Sequence, residues 1–422
     1  MKQLKKTLKQ HQLIRSLVEL KGNPKALLLM EPLWGIPFGL IAPFATLYMQ
    51  ARGITDIEIG LILSVATAIQ VIACSLGGVV TDKFGRKTTT MFGDFFGWVV
   101  ACLVWAFSGN FWLFLIAATF NSMEQVNQTA WVCFINEDTD PDQLVSVWNW
   151  VLIATNVSVF FAPIAGVLIE RTSLISVMQV LYIMFAVFMA IKIVITYKVT
   201  TETSRGKIRK RETKKQSLWS MLMEYEKLIP QTFKQKRVWF TLAIMIGMQC
   251  TYIITNSFFS LYATALLGVS DGMIAIFPIV RAAVMLVFFF AAPKILDRIS
   301  LEVPMILGTA LYIICQLVLI FCPPGNLPVL FLYVLIDAVA WAIVIPRKET
   351  MLVNNIDEKE RARILSLLTT LTLFASIPCG YIAGWLSSIN RQYPFFLNLI
   401  IFIAMIIVLT FGWLQTRKTS KA

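Results

Sequence analysis

The sequence predicts an all-α membrane protein of twelve transmembrane helices arranged as two pseudo-symmetric six-helix bundles. Three observations carry that prediction. Hydrophobic residues make up 57% of the chain and charged residues only 14%, where a soluble domain would hold about a quarter charged. Apolar runs of roughly 20 residues, the length that crosses a bilayer, recur along the whole chain. The chain also repeats itself at one fixed offset. Gly53-Ile54-Thr55-Asp56 returns as Gly268-Val269-Ser270-Asp271, and the same step carries Asp82 to Asp297, Asp142 to Asp357 and Pro163 to Pro378. Such a repeat indicates two halves related by an axis along the membrane normal.

In chain order, residues 1–25 are basic and amphipathic, with Leu4, Leu8, Ile14, Leu17 and Val18 at helical spacing. They are expected to lie on the inner leaflet rather than to form a cleaved signal peptide. The first bundle (26–197) has predicted spans at 27–50, 57–80, 89–108, 111–134, 144–169 and 174–197. Thr55, with Glu58 three residues on, predicts a capping box at the start of the second span. A polar linker, 198–237, carries Arg205, Lys207, Arg209, Lys210, Arg211, Lys214 and Lys215. Its later part, through Leu218, Met221, Leu222, Tyr225, Leu228 and Ile229, predicts a second amphipathic helix, whereas residues 200–216 are equally compatible with disorder. The second bundle (238–415) has predicted spans at 238–264, 272–294, 302–322, 328–346, 363–388 and 393–415, followed by a tail at 416–422.

A net charge of +13 would suit a nucleic-acid binder, but its distribution argues against one. Apart from Arg52, Arg171, Arg391 and Arg281, the remaining 33 of the 37 Lys and Arg fall in segments, or at span edges, on one side of the membrane. The positive-inside rule then puts both termini in the cytoplasm of a multi-pass protein of the cell membrane, with lipids rather than nucleic acid as surroundings. The seven cysteines are scattered without metal-ligand spacing, and the single histidine, His11, lies in the amino-terminal tail. No cofactor or metal is expected, and proton chemistry within the bilayer falls to carboxylates. The chain contains no Gly-x-x-x-x-Gly-Lys-Ser/Thr loop, and neither an ATP-driven pump nor an enzyme is expected.

Between spans 2 and 3 lies Gly78-Val79-Val80-Thr81-Asp82-Lys83-Phe84-Gly85-Arg86-Lys87. A charge at the bilayer centre costs at least about 2.5–3.5 kcal/mol, so this stretch must be a turn at the surface. It resembles the signature loop between helices 2 and 3 of the major facilitator superfamily of transporters, and the resemblance extends over the whole chain. It implies a central cavity lined by helices 1, 4, 7 and 10, with 2, 5, 8 and 11 at the interface of the halves and 3, 6, 9 and 12 outside. It further implies secondary transport of a small molecule by alternating access, protons as coupling ion, and a monomer. Gly78, Asp82, Lys83, Gly85, Arg86 and Lys87 would form a conformational latch, with Asp297 and Arg298 as its reduced counterpart. Asp82 is expected at the start of helix 11, and Arg86 beside Glu137, Asp138, Asp140 and Asp142. In span 5, Ala162-Pro163-Ile164-Ala165-Gly166 is similar to the Gly-Pro-x-x-Gly-Gly element of proton-driven exporters, with two alanines in place of glycines. Its plainer role is a proline-kinked helix packed through small residues.

Glu124, Arg281 and Asp337 lie near the middle of predicted spans, where an ionisable residue is costly to retain. Asn121, Glu124, Gln125 and Gln128 share one helix face, either a cavity wall or a polar contact between helices. Glu124 and Asp337 are the candidate proton-coupling residues. Asn121, Gln125, Gln128, Asn156, Gln249, Tyr252, Asn256 and Arg281 are candidates for substrate binding, with Trp34, Phe38 and Trp341 as an aromatic wall or as packing. Arg281 and Asp337 either form a buried ion pair or bind and release an anionic group. Glu31 and Asp94, nearer the inner surface, are expected to pair with basic loop residues. The expected function is proton-coupled export of a small amphipathic or drug-like compound. The alternatives are proton-coupled uptake of a sugar or other metabolite, and a receptor or lipid scramblase on the same fold.

Overall fold

The computed structural model describes residues 17, 19–218, 220–221, 236–291, 302–354 and 361–419. Asp297, Arg298, Asp357, His11 and most of the two amphipathic segments lie outside the described residues.

Among the described residues, ten helices are long and apolar enough to cross a membrane. They are α1 (Gly22–Ala51), α2 (Asp56–Phe84), α3 (Arg86–Phe107), α5 (Ser146–Arg171), α6 (Leu174–Val199), α7 (Val238–Ala265), α9 (Val303–Ile320), α10 (Leu327–Lys348), α11 (Leu367–Ile389) and α12 (Tyr393–Phe411). The other two predicted spans are helical but fall short of that measure. α4 is broken into Phe111–Ser122 and Glu124–Glu137, and its second part opens with Glu124, Gln125, Asn127 and Gln128. α8 (Ile276–Ala291) is described for 16 residues. Helix breaks have local causes. α5 interrupts at Phe160 and Phe161, just ahead of Pro163, which has no N–H to donate. α1 passes through a 3-10 turn, Ala42–Phe44, centred on Pro43.

The offset seen in the sequence reappears as geometry. Gly53 and Gly268 both hold φ in the left-handed region (+85° and +67°), which a side chain would strain. Thr55 and Ser270 then cap the following helices, accepting from the Glu58 and Met273 N–H groups, each at 3.3 Å. Deeper in, the Tyr48 hydroxyl donates to Trp105 O at the end of α3 (3.1 Å), and the Tyr262 hydroxyl to Leu319 O at the end of α9 (3.1 Å). Gln179 on α6 and Gln392 beside α12 reach the adjoining carbonyls, Ala106 O and Ile320 O. Each half thus uses one Tyr and one Gln to tie its first and last helices to its third.

The two halves meet at the end of the molecule that holds these paired turns. α2 and α11 form the most extensive helix interface. A Cβ on Gly60 would stand 2.5 Å from Gly380 O, so the backbones touch. Ser64 Oγ accepts from the Tyr381 N–H (2.8 Å), and Ser387 Oγ donates to Asp56 Oδ2 (2.7 Å). Arg391 lies 3.4 Å from Asp56 and donates to Leu261 O (3.0 Å). α5 and the turn before α8 meet similarly. Gly166 faces Gly272 O across 2.7 Å from its would-be Cβ, and Ser270 Oγ donates to Glu170 (3.0 Å). The last residue of the Ala162–Gly166 element is therefore used for close packing between halves.

Two outcomes follow. Gly60→Val should wedge α2 from α11. With cysteines at Asp56 and Ser387, oxidative cross-linking should fall several-fold when that substitution is added, and an unchanged yield would show that the contact does not hold this end closed. Asp271 has its carboxyl above the usual range, first through burial and then through Glu170 in the other half. Ionised Asp271 therefore opposes closure at neutral pH, and the opposition lifts as pH falls through its raised pKa. The same cross-link should gain yield on acidification, and Asp271→Asn should flatten that dependence.

Candidate functional site

The second half contains a chamber of about 340 Å³. α7 contributes Gln249, Tyr252 and Asn256, α8 Arg281, α9 Tyr312 and Gln316, and α10 Asp337, Trp341 and Lys348. Thr369 and Thr372 of α11 and Phe402 of α12 complete the wall. Arg281 Nε stands 3.4 Å from Asp337 Oδ2, and the guanidinium carbon lies 5.2 Å from the centre of the Trp341 ring. The ion pair expected from two mid-span charges thus exists, but it opens onto the chamber instead of being sealed in a helix contact. Six residues singled out in the sequence (Gln249, Tyr252, Asn256, Arg281, Asp337 and Trp341) are brought together here. Gln316 was missed, because a single glutamine in α9 has no polar neighbour at helical spacing. It is fully buried, and its Oε1 has no partner among the described residues.

The polar residues of the first half separate. Asn121 donates to Gly97 O (2.9 Å) across α4 and α3, a contact between helices. Asn156 donates to Leu152 O in its own helix (2.8 Å). Gln125 is half-buried and Gln128 exposed, and neither lines the chamber. Trp34 stacks on Phe38 (4.9 Å between centroids), and both meet Trp98 edge-on, forming a packed aromatic cluster in this half. Glu124 is half-buried and lies within electrostatic reach of Tyr252 of the chamber.

Behind Glu124 is a charge cluster that the sequence did not reveal. Lys192 Nζ of α6 lies 3.4 Å from Asp94 Oδ2 of α3, and Asn127 Nδ2 of α4 donates to Asp94 Oδ1 (2.6 Å). Glu31 of α1 is 7% exposed, its Oε2 without a partner among the described residues, and both Glu31 and Glu124 feel the Lys192 charge. This corrects the expectation that Glu31 and Asp94 pair with basic loop residues. Their cation comes from inside a span, because an ammonium within α6 cannot face lipid and turns inward. The helices approach closely here: a Cβ on Gly93 would stand 2.5 Å from Asn127 Cβ, and one on Gly97 3.3 Å from Glu124 N. α3 is a π-helix from Phe95 to Val100, directly after Asp94, a distortion frequent at functional sites.

At the opposite end from the paired turns, the signature loop is tied to the linker. Gly85 turns with φ +93°, and Arg86 bridges Asp82 (3.0 Å) and Glu137 (2.9 Å). The second oxygen of Asp82 takes Arg209 of the linker helix Ser204–Glu212 (2.8 Å), while residues just ahead of α11 lie outside the described residues. Glu202 accepts from the N–H groups of Arg86 and Lys87 at the first turn of α3 (2.9 and 3.2 Å), where a helix dipole favours a carboxylate. Lys83 donates to Gln216 O, and Lys87 to Tyr197 O and Thr200 O. Residues 204–212, which could have stayed disordered, are helical because Thr203 caps them and Asp82 anchors them. Gly78 lies within α2.

A family model described as Major Facilitator Superfamily matches residues 33–347. The uncharacterised MFS-type transporter YqjV of Bacillus subtilis (strain 168) is 26% identical over 168 residues, covering 37% of this chain. That match spans about two-fifths (41%) of the relative's own length. Among solved structures, the nucleoside transporter NupG superposes with a TM-score of 0.69 at 16% identity, covering 94% of this chain and 100% of that one. The human organic anion transporter MFSD10 (TETRAN) does so with a TM-score of 0.65 at 15% identity, covering 92% and 98%. At such identities these likenesses establish the fold alone.

The Lys192 cluster predicts an asymmetry between single and double substitutions. Lys192→Met should destabilise the protein by about 3–5 kcal/mol by leaving Asp94 buried without its counter-charge. Lys192→Met combined with Asp94→Asn should recover most of that loss. Thermal unfolding of the purified variants in one detergent measures both, and equal losses would show that the pair is not coupled.

Proposed function

This chain belongs to the Major Facilitator Superfamily of secondary transporters, and from that premise we propose that it couples protons, through Glu124, to the export of a small amphipathic compound held in the chamber. The observation that supports this reading is the arrangement about Tyr252. One side chain, on the helix that lines the chamber, lies within electrostatic reach of both Glu124 in the first half and Arg281 in the second. A mid-span carboxylate within reach of the chamber would couple proton binding to whatever occupies it. Asp337 would take part by holding or releasing Arg281. If both termini and the linker are cytoplasmic, the contacts of the paired turns would close the outer side, as in the inward-facing state of an alternating-access cycle. The Arg86, Asp82 and Glu137 network would serve as the inner latch, with the linker helix as part of it.

Uptake of a metabolite is the second reading, favoured by the polar lining of Gln249, Asn256, Gln316, Thr369 and Thr372. A thermal-stability screen across drugs, sugars and amino acids would supply the compound, and its movement against an imposed pH gradient in vesicles of known orientation would give the direction. In the same vesicles, Glu124→Gln should reduce gradient-driven transport at least tenfold while leaving exchange without a gradient. Full retention of gradient-driven transport would remove Glu124 from the coupling role.

A further inference from the structure

We infer that the chamber of the second half is built to take an amphipathic organic anion, its carboxylate on Arg281 and its flat apolar body against the aromatic wall. This rests on the transport reading above and narrows its substrate. Arg281 decides the matter. Its side chain is 28% exposed and that of Asp337 11%, so the acid sits behind the base and the guanidinium faces the entrant. At 3.4 Å, Asp337 supplies attraction to Nε without a hydrogen bond, and no Arg281 nitrogen donates a hydrogen bond to any described residue. A guanidinium carries five N–H donors in a rigid fork. Half-buried donors left unmet are costly, so these are available to a group that enters. The fork matches a planar oxyanion in two parallel hydrogen bonds, which an ammonium cannot reproduce. Trp341, against the guanidinium face, keeps the plane fixed and leaves the edge open.

The remaining walls fit the rest of such a molecule. Among the described chamber-lining residues Asp337 is the only acid, and it is already engaged with Arg281, so a cationic solute would find no free counter-charge there. Tyr312, stacked on Phe402 at 4.6 Å, and Trp341 offer flat surfaces. Gln316 Oε1, buried and without a partner among the described residues, calls for a donor such as a ring N–H. The volume, about 340 Å³, is near the lower end of small-molecule sites and suits one or two fused rings with a short acidic arm.

Three probes with one indole body separate the possibilities: indole-3-acetate (anion), indole-3-acetamide (neutral) and tryptamine (cation). With the full-length protein in detergent, indole-3-acetate should raise the melting temperature in a dose-dependent way at concentrations at least tenfold below those the other two require. Radiolabelled indole-3-acetate should also move in proteoliposomes under a pH gradient. Arg281→Lys, which keeps the charge and loses the fork, should weaken the response to indole-3-acetate at least tenfold. Arg281→Gln with Asp337→Asn, which removes the ion pair together, should melt near the wild type yet show no response. Equal or better binding of tryptamine or the amide would overturn the anion assignment, as would no response to any of the three. In either case, gradient-driven movement of another solute would leave the transport reading standing, whereas its absence for every compound screened would bring that reading down separately.

Discussion

A charge inside a bilayer has to be answered by another charge, and the two halves of this protein are arranged around that requirement. Lys192 answers Asp94 in the first half, and Arg281 answers Asp337 in the second. The answers differ in kind. Asp94 is fully engaged, by Lys192 on one oxygen and Asn127 on the other, in a site closed by glycine-mediated contact between α3 and α4. Arg281 stands at the same 3.4 Å from its acid, but no further side chain joins that pair by a hydrogen bond among the described residues, and it borders a chamber. A satisfied buried pair fixes a structure, whereas an unsatisfied one awaits a partner. The first half thus has excess acid around one ammonium, and the second has an excess of hydrogen-bond donors on one guanidinium.

Closure is distributed unevenly between the two ends. Around the paired turns, the halves are joined by short contacts that small residues permit, Gly60 with Gly380 and Gly166 with Gly272, reinforced by Asp56, Ser387 and Arg391. Close backbone packing of this kind has two states, in contact or apart, which suits a rocking motion better than gradual deformation. At the other end, the acid of the signature loop is shared between Arg86 and the linker residue Arg209. Any contact that α11 makes with Asp82 would therefore have to share that carboxylate with the linker helix.

The fold was legible in the sequence because its determinants are long-range in composition and short-range in geometry. Span length reads directly from hydropathy, and Gly53 with Thr55 against Gly268 with Ser270 announces the same left-handed turn and cap twice. The chamber was partly legible for the same reason. Gln249, Tyr252 and Asn256 recur on one face of α7, and Arg281, Asp337 and Trp341 are conspicuous in apolar surroundings. Lys192 was not, because it lies within two turns of a span end, where a lysine ordinarily extends to the surface. Only packing shows that it turns inward. Asn121 failed in the opposite sense: its spacing with Glu124 is right, but α4 breaks at Met123 between them and its amide is spent on Gly97 O of α3 rather than on the chamber. Periodicity assumes a continuous helix, and that assumption is weakest where polar residues concentrate.

The chamber also bears on the direction of transport. If its occupant is an anion on Arg281, an ionised Glu124 across the meeting plane would oppose it, and a protonated Glu124 would not. Each then favours the other, and linkage makes the effect reciprocal. A proton and an anion that assist each other's binding would move together, with their charges cancelling, which is the behaviour of a symporter. Export by exchange requires the contrary, that proton and substrate exclude one another. The sequence feature that suggested export, Ala162 to Gly166, has a sufficient role in the contact between Gly166 and Gly272. With that element accounted for by packing, the two readings part on one point: an anion in the chamber favours uptake with a proton, whereas export by exchange requires an occupant that a protonated Glu124 disfavours.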